Sequence, residues 1–236
     1  MIRLMKTAEI QEIITRCALM EGLTEEECSA IVQHSRYYEV EQDCFFFQQG
    51  EEASTMYIIL SGRVKLSQVT QAGEQVIVGY CGAGDGLGII VALSETDYPL
   101  SAEAVTHCQA IAWQRDQMKA LMLTFPRLAI NGMGMIAQRF VKLQEQYRDI
   151  ATRRVEQRIA RTLLRLVRQF GKKVDHGVLI DMPLSRQDLA EMTGTNLYNV
   201  SRILSKWERA EWISSQRQRV VLRKAHELVV LAEDLA

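Results

Sequence analysis

The sequence predicts an α+β protein: a β-roll in the N-terminal half, a long helix after it, and a pair of short helices with a β-hairpin near the C-terminal end. Three observations carry this expectation. Residues 37–113 alternate short apolar runs with glycines at 50, 62, 73, 82 and 84. Residues 126–169 hold a sustained helical pattern, and residues 185–204 hold two helix starts separated by Thr193-Gly194.

Length and composition bound the answer first. The 236 residues suit one large domain or two ordinary ones and can bury a substantial core. An apolar fraction of 47% and a charged fraction of 24% are globular values and argue against disorder. No run nears the ~18 apolar residues of a membrane span. Met1–Met20 carries Arg3, Lys6, Glu9, Glu12 and Arg16, so it does not read as a signal peptide. Five cysteines without a C-x-x-C pair make neither a disulfide framework nor a zinc knuckle. The expected location is cytoplasmic, with no membrane partner. The net charge of −1 hides a split: residues 1–152 hold 12 Lys and Arg against 19 Asp and Glu, whereas residues 153–236 hold 16 against 10. A basic C-terminal part points to a polyanionic partner, although such runs are often solvated faces.

The elements follow in order. Ile10, Ile13, Ile14 and Cys17 fall at helical spacing, and Thr24 with Glu27 forms a capping box for a second short helix. Strands are expected over Tyr57–Leu60, Val64–Leu66, Gln75–Tyr80 and Ala104–Trp113, punctuated by glycine turns. Five glycines in Gly79–Gly88 demand tight, irregular backbone there. There is no βαβ rhythm and no phosphate-binding G-x-x-x-x-G-K. The partition expected is 1–125 for the roll with its leading helices, 126–152 for the long helix, and 153–236 for the C-terminal domain.

Within the long helical stretch, Met133, Ile136, Phe140, Leu143, Tyr147 and Ile150 are spaced 3, 4, 3, 4, 3. This a/d seam runs about two and a half heptads. A helix lying on its own core would show similar periodicity. The polar outer face (Gln138, Arg139, Lys142, Glu145, Arg148) favours a homodimer seam, self-complementary about a two-fold axis. Gly132 and Gly134 each cost roughly 1 kcal/mol against Ala and mark a soft or closely packed point.

The segment from 185 to 222 carries the most information. Ser185 caps a helix, with Asp188 in the capping-box position, and Arg186 and Gln187 lie between them. After Thr193-Gly194 a second start follows at Thr195-Asn196, with Asn196 as cap. Val200, Ile203, Leu204 and Trp207 point inward, leaving Tyr198, Asn199, Ser201 and Arg202 to solvent. Two short helices around a glycine turn make a helix-turn-helix, whose second helix can enter a major groove. Trp212–Ser214 and Arg219–Leu222 then read as a two-stranded wing with a basic tip.

These features together resemble the CRP/FNR family of bacterial transcription regulators. Phe47-Gln48-Gln49-Gly50, Tyr57 to Leu66 and Gly84-Asp85 match the family's β-roll landmarks in order. The seam helix falls where the family dimerises, and Arg186 to Ala190, Gly194 and Val200-Ser201-Arg202 match its C-terminal motif. The resemblance implies a cyclic-nucleotide-binding-like domain, a dimerisation helix and a winged helix-turn-helix. It implies double-stranded DNA with a near-palindromic operator as partner, together with a second copy of the chain and RNA polymerase. Arg202, Tyr198 and Asn199 would meet bases. Arg186, Gln187, Lys206, Arg217 and Arg219 would meet phosphates, with Ser185, Thr195, Asn196 and Ser201 alongside.

Departures from the family speak to the effector. Its cyclic-nucleotide-binding members use a Glu soon after the roll's Gly-Asp and an Arg before a Ser or Thr. Here those positions read Ile89, in Gly88-Ile89-Ile90, and Leu100, before Ser101. The positions that meet the base read Leu143 and Gln144, with Tyr147 beyond. Leucine cannot replace a guanidinium's charge-assisted phosphate bonds, so cAMP is not the expected effector. The family's iron–sulfur branch needs closely spaced N-terminal cysteines, which Cys17, Cys28 and Cys44 do not provide. Two readings stay open: haem or another apolar ligand, or a roll filled by its own side chains. His34, His107, Cys81 and Cys108 are the axial-ligand candidates for haem.

No nucleophile–base pair, metal set or nucleotide loop points to an enzyme. The alternative to a DNA-binding regulator is a ligand-binding module whose winged helix makes protein contacts.

Overall fold

The computed structural model describes residues 7–216 and 218–234, which fall into two compact units. The first runs to residue 74 and from 78 to 142; the second comprises 143 onward with residues 75–77. The division falls inside the long helix rather than at either of its ends.

The first unit opens with α1 (Thr7–Thr15), a 3-10 turn (Ala18–Met20) and α2 (Glu25–Gln33). Thr24 caps α2 as the sequence indicates: its hydroxyl accepts from Glu27 N at 3.2 Å, and Thr24 N donates to Glu27 Oε2 at 2.8 Å. The roll consists of β1 (Arg36–Val40), β2 (Phe45–Phe47), β3 (Thr55–Ser61), β4 (Val64–Val69), β5 (Gln75–Cys81), β6 (Gly86–Leu87), β7 (Ser101–Ala104) and β8 (Cys108–Gln114). They form two four-stranded sheets, β1-β8-β3-β6 and β2-β7-β4-β5. Helices α3 (Ile90–Leu93), α4 (Arg115–Thr124) and α5 (Pro126–Thr152) complete this part of the chain.

The period of two along β3 divides its side chains between two cores. Met56, Ile58 and Leu60 join Ile14, Ile31, Trp113, Met118 and Leu128 beneath the helices. Tyr57 and Ile59 join Phe47, Val64, Leu87, Tyr98 and Ala110 between the sheets. β8 pairs with β3 and divides likewise, Ile111 and Trp113 to one side and Ala110 and Ala112 to the other. The Trp113 indole donates to Ile31 O at 2.9 Å, so this large buried ring leaves no polar atom unsatisfied.

The expected single strand Ala104–Trp113 is two strands, with a turn at residues 105–107. Val105 N donates to Arg63 O and Arg63 N to the Thr106 hydroxyl, locking this turn against the β3–β4 turn. Gly62 makes that approach feasible. Its φ is +94°, and a Cβ there would lie 2.5 Å from Cys108 Sγ and 2.6 Å from His107 O.

The helical pattern runs on to Gln169, but the long helix α5 ends at Thr152, the bound expected for it, and α6 runs Val155–Phe170. No Gly or Pro marks the break. Arg154 takes an extended conformation at the start of α6, its N–H held by Gln157 Oε1 at 3.1 Å. The Arg158 guanidinium donates to Ile150 O and Arg153 O, satisfying carbonyls that the end of α5 leaves open.

The second unit continues with β9 (Gly171–Val174), β10 (Gly177–Ile180), α7 (Arg186–Thr193), α8 (Leu197–Arg209), β11 (Ile213–Gln216), β12 (Arg219–Leu222) and α9 (Ala225–Glu233). Its sheet order is β11-β12-β10-β9. Ile159, Leu163, Leu189, Val200, Leu204, Trp207, Leu222 and Leu228 are buried here. No single helix among the described residues is long and apolar enough to cross a membrane.

Candidate nucleic-acid interface

Local hydrogen bonds fix the two short helices. Ser185 Oγ accepts from Asp188 N at 3.0 Å, and Ser185 N donates to Asp188 Oδ2 at 2.7 Å, closing the capping box at α7. Gly194 ends α7 in the left-handed region at φ +59°, where glycine is least strained. Arg158 reaches its carbonyl at 3.2 Å, bracing the turn from α6. Asn196 then caps α8 by accepting from Asn199 N at 2.9 Å.

The inward face of α8 is as the periodicity indicates: Val200, Ile203, Leu204 and Trp207 are buried. On the other side Tyr198, Arg202 and Lys206 are exposed, with Ser201 half-buried. Asn199 is half-buried too, and its side-chain nitrogen donates to Thr195 Oγ1 at 3.1 Å. Among the cations expected at phosphates, Arg219 is exposed at the start of β12. Arg217 lies outside the described residues. Arg186 sits 3.6 Å from Glu208, whose other carboxylate oxygen accepts from Ser215. Lys206 and the Trp207 indole both donate to Glu156 Oε1 at 3.0 Å. Gln187 donates to Glu191 at 2.9 Å. A groove of about 280 Å³ lies between the α7 N-terminus and the wing, lined in part by Ser185, Arg186, Gln218 and Arg219.

Sequence reasoning missed Leu197. It stands three residues before Val200 and seven before Leu204, so the helical period places it near the core. It is nevertheless 47% exposed, beside Tyr198 at 74%. Its position next to the Asn196 cap was the available signal, because the first residue of a helix projects beyond the packed turns. Glu156 and Glu208 were also missed; nothing local announces a partner on another element.

The seam residues Met133, Ile136, Phe140, Leu143, Tyr147 and Ile150 are all exposed, from 37% to 76%. The first half of α5 shows why. Leu128, Gly132, Met135 and Arg139, spaced 4, 3, 4, face this unit's own roll. Leu128 and Met135 join the helical core. A Cβ on Gly132 would lie 3.3 Å from Ile89 Cδ1, and Arg139 donates to Gly86 O. Gly132 is therefore the closely packed point, whereas Gly134 has open space. Arg139, read from sequence as outer surface, packs inward.

At the effector positions, Gly88 has φ +67°, with Thr55 O 2.8 Å from any added Cβ. Ile89 is buried in the helical core, and Ile90, which begins α3, is half-buried. Leu100 packs against the other cluster, between the sheets. The two replaced positions thus pack into different clusters. Ser101 Oγ accepts from Gln49 N at 2.9 Å. Leu143, Gln144 and Tyr147 are exposed in the second unit.

Tyr98 had no sequence signal. Its ring stacks on Phe47 at 3.8 Å, and its hydroxyl donates to Thr55 O at 2.6 Å while accepting from Thr55 N at 3.0 Å. Burial pushes that hydroxyl's pKa up. Of the haem-ligand candidates, His34 meets Ala30 O through Nδ1 at 2.8 Å, and His107 Nε2, 4.0 Å from Glu41, is buried without a hydrogen-bond partner. Cys108 donates to backbone carbonyls, and burial pushes the Cys81 thiol up to about 12, far from a thiolate. The two buried cysteines do not fit an axial-ligand role.

Comparison with known proteins agrees with this architecture. The cyclic nucleotide-binding domain family matches residues 38–125, and the Crp-like helix-turn-helix domain family matches residues 157–231. The CRP-like cAMP-activated global transcriptional regulator of Mycobacterium tuberculosis is 21% identical over 219 residues, 93% of this chain and 98% of that protein. The global nitrogen regulator of Nostoc sp. is 27% identical over 186 residues, 78% of this chain and 83% of its own. The structure of FixK2 from Bradyrhizobium japonicum superimposes with a TM-score of 0.74 at 22% identity, covering 84% of this chain and 96% of that one. With both domains in the same order, and a capped helix-turn-helix behind a roll and a long helix, the chain belongs to the CRP/FNR family of transcription regulators.

Proposed function

We propose that this regulator acts as a homodimer that binds a near-palindromic duplex through α8, and that its effector is not cAMP. The observation carrying the dimer is the two-faced first half of α5. One face packs on its own roll, so the exposed Met133, Ile136 and Phe140 need another occupant, and the same seam continues through Leu143, Tyr147 and Ile150. A second copy fits because the seam is self-complementary. Two recognition helices related by that axis would meet successive major grooves roughly 34 Å apart. In this reading Arg202 reads bases, Tyr198 lies beside it, and Arg186, Lys206, Arg217 and Arg219 neutralise phosphates, with RNA polymerase as the partner that follows from the family.

Against cAMP stand Ile89 and Leu100, each packed into a core where relatives place a carboxylate and a guanidinium. Burying a cyclic phosphate without a cation costs several kcal/mol. Tyr98, with both hydrogen-bonding roles used internally and its ring on Phe47, supports the self-filled reading over an apolar ligand.

Titration of the full chain onto random and library-selected duplexes tests the reading. Specific, salt-dependent binding of two protomers per site without added nucleotide is expected. Micromolar cAMP binding that tightens operator affinity refutes the effector argument, and salt-independent or absent DNA binding refutes the rest.

A further inference from the structure

We propose that Leu197 and Tyr198 read thymine through its 5-methyl group, so that each half-site carries thymine where the tip of α8 meets the major groove. This rests on the DNA-binding reading above and adds a base-reading role for an apolar residue.

Position comes first. Leu197 and Tyr198 are the first two residues of α8, and the N-terminal residues of a recognition helix are those that reach base edges. At about 100° per residue, Tyr198 and Arg202 sit near the middle of the face opposite Val200, Ile203 and Trp207, and Leu197 sits on its flank beside Ser201.

Two polar side-chain groups of this turn are already used. The Asn196 side-chain oxygen is held by Asn199 N, and the Asn199 side-chain nitrogen by Thr195 Oγ1. What projects from the tip is a leucine side chain and a phenol ring, 47% and 74% exposed. The core below takes Val200 and Leu204 fully and leaves Leu197 out.

Chemistry then selects the base. Leucine neither donates nor accepts, so pressing it on guanine, adenine or cytosine strips water from polar edge atoms and replaces nothing. Thymine alone carries an apolar group in the major groove, and its methyl gains burial against Leu197 or the Tyr198 ring. One turn further on, exposed Arg202 offers the guanidinium that pairs with guanine O6 and N7. The surrounding charge suits a duplex: Arg202, Lys206 and Arg219 are exposed in the same unit.

The test changes the DNA, so it does not depend on any variant folding. An operator is selected from a random library with the full-length chain, and each thymine is replaced in turn by deoxyuridine, which removes only the methyl. Anisotropy titrations should show about fourfold weaker binding at one or two thymines per half-site, the loss expected for one buried methyl. Leu197→Ala should bind the thymine and uracil duplexes alike at one of those positions, with its salt slope unchanged. Uracil tolerated everywhere, a selected half-site lacking thymine, or a Leu197→Ala protein that keeps the full preference overturns the inference while leaving DNA binding intact. Failure to select any operator overturns both.

Discussion

Replacing Asp149 with Asn tests how the end of α5 is fixed to the DNA-binding domain. Asp149 is 4% exposed near the C-terminal end of α5, and both its ion pairs land on Oδ2: Arg161 Nε at 3.0 Å and Arg165 Nη1 at 3.5 Å. Oδ1 is buried without a hydrogen-bond partner, so these two guanidiniums are what hold the carboxylate in place. Removing one member of a fully buried pair costs 3–5 kcal/mol, since the other charge is left uncompensated. Two features reduce that figure. The Arg165 side chain is 36% exposed, and Arg161 keeps a second carboxylate, Glu233, at 2.6 Å. About 2–3 kcal/mol is the resulting expectation for Asp149→Asn, a near-isosteric change. For a chain of this size that lowers Tm by roughly 4–12 °C. Glu233→Gln, at a half-exposed side chain, should cost no more than about 1 kcal/mol. Urea unfolding of the full-length protein, followed by far-UV circular dichroism, measures both. An Asp149→Asn protein within about 0.5 kcal/mol of the parent would show that packing, not this charge cluster, fixes the junction.

Phe140→Glu places two like charges against each other across the proposed two-fold axis; light scattering should report a folded monomer that has lost tight operator binding, and a full dimer would refute the seam. Arg202→Ala should lose about 1–3 kcal/mol of base discrimination, whereas Arg219→Ala should weaken binding equally on all sequences and reduce the salt slope by about one; competition titrations separate the two. Burial pushes Cys17 up to about 11 and Cys81 up to about 12 from 9.0. A raised folded-state pKa means the stabilisation is whole below about pH 9 and is lost as pH rises through 11–12. Calorimetric Tm should therefore fall steadily above pH 9, and a Cys17→Ala, Cys81→Ala double variant should fall less steeply; equal slopes would refute this assignment.

Signals read correctly from sequence are those in which a residue and its consequence lie within a turn or two of each other. Thr24 with Glu27, Ser185 with Asp188 and Asn196 with its helix all cap as expected, because capping is decided within three residues. The inward face of α8 follows from a period of 3.6, and much of the roll from glycine turns. What was not legible depends on partners far along the chain: Glu156 accepts from Lys206 and from the Trp207 indole, 50 and 51 residues away. Tyr98 reads as one aromatic among several until Thr55, 43 residues earlier, takes both its hydrogen bonds.

The proposed DNA face shows the same boundary in electrostatic terms. The excess of Lys and Arg after residue 152 directs attention to the C-terminal domain, where the proposed face lies on α7, α8 and the wing. Counting treats every cation as available, however, and two of the expected phosphate ligands already have carboxylates: Arg186 has Glu208 at 3.6 Å and Lys206 has Glu156 at 3.0 Å. A phosphate approaching either must compete with a carboxylate held in place, since Glu208 also accepts from Ser215 and Glu156 from Trp207. Each such exchange neutralises a phosphate but frees an anion beside it, so its net contribution to counterion release is smaller than that of a free cation. Arg202 and Arg219, exposed on α8 and the wing, escape this cancellation. Glu156→Gln should therefore tighten binding to duplexes of any sequence and steepen the salt slope, and an unchanged slope would show that Lys206 never reaches the backbone.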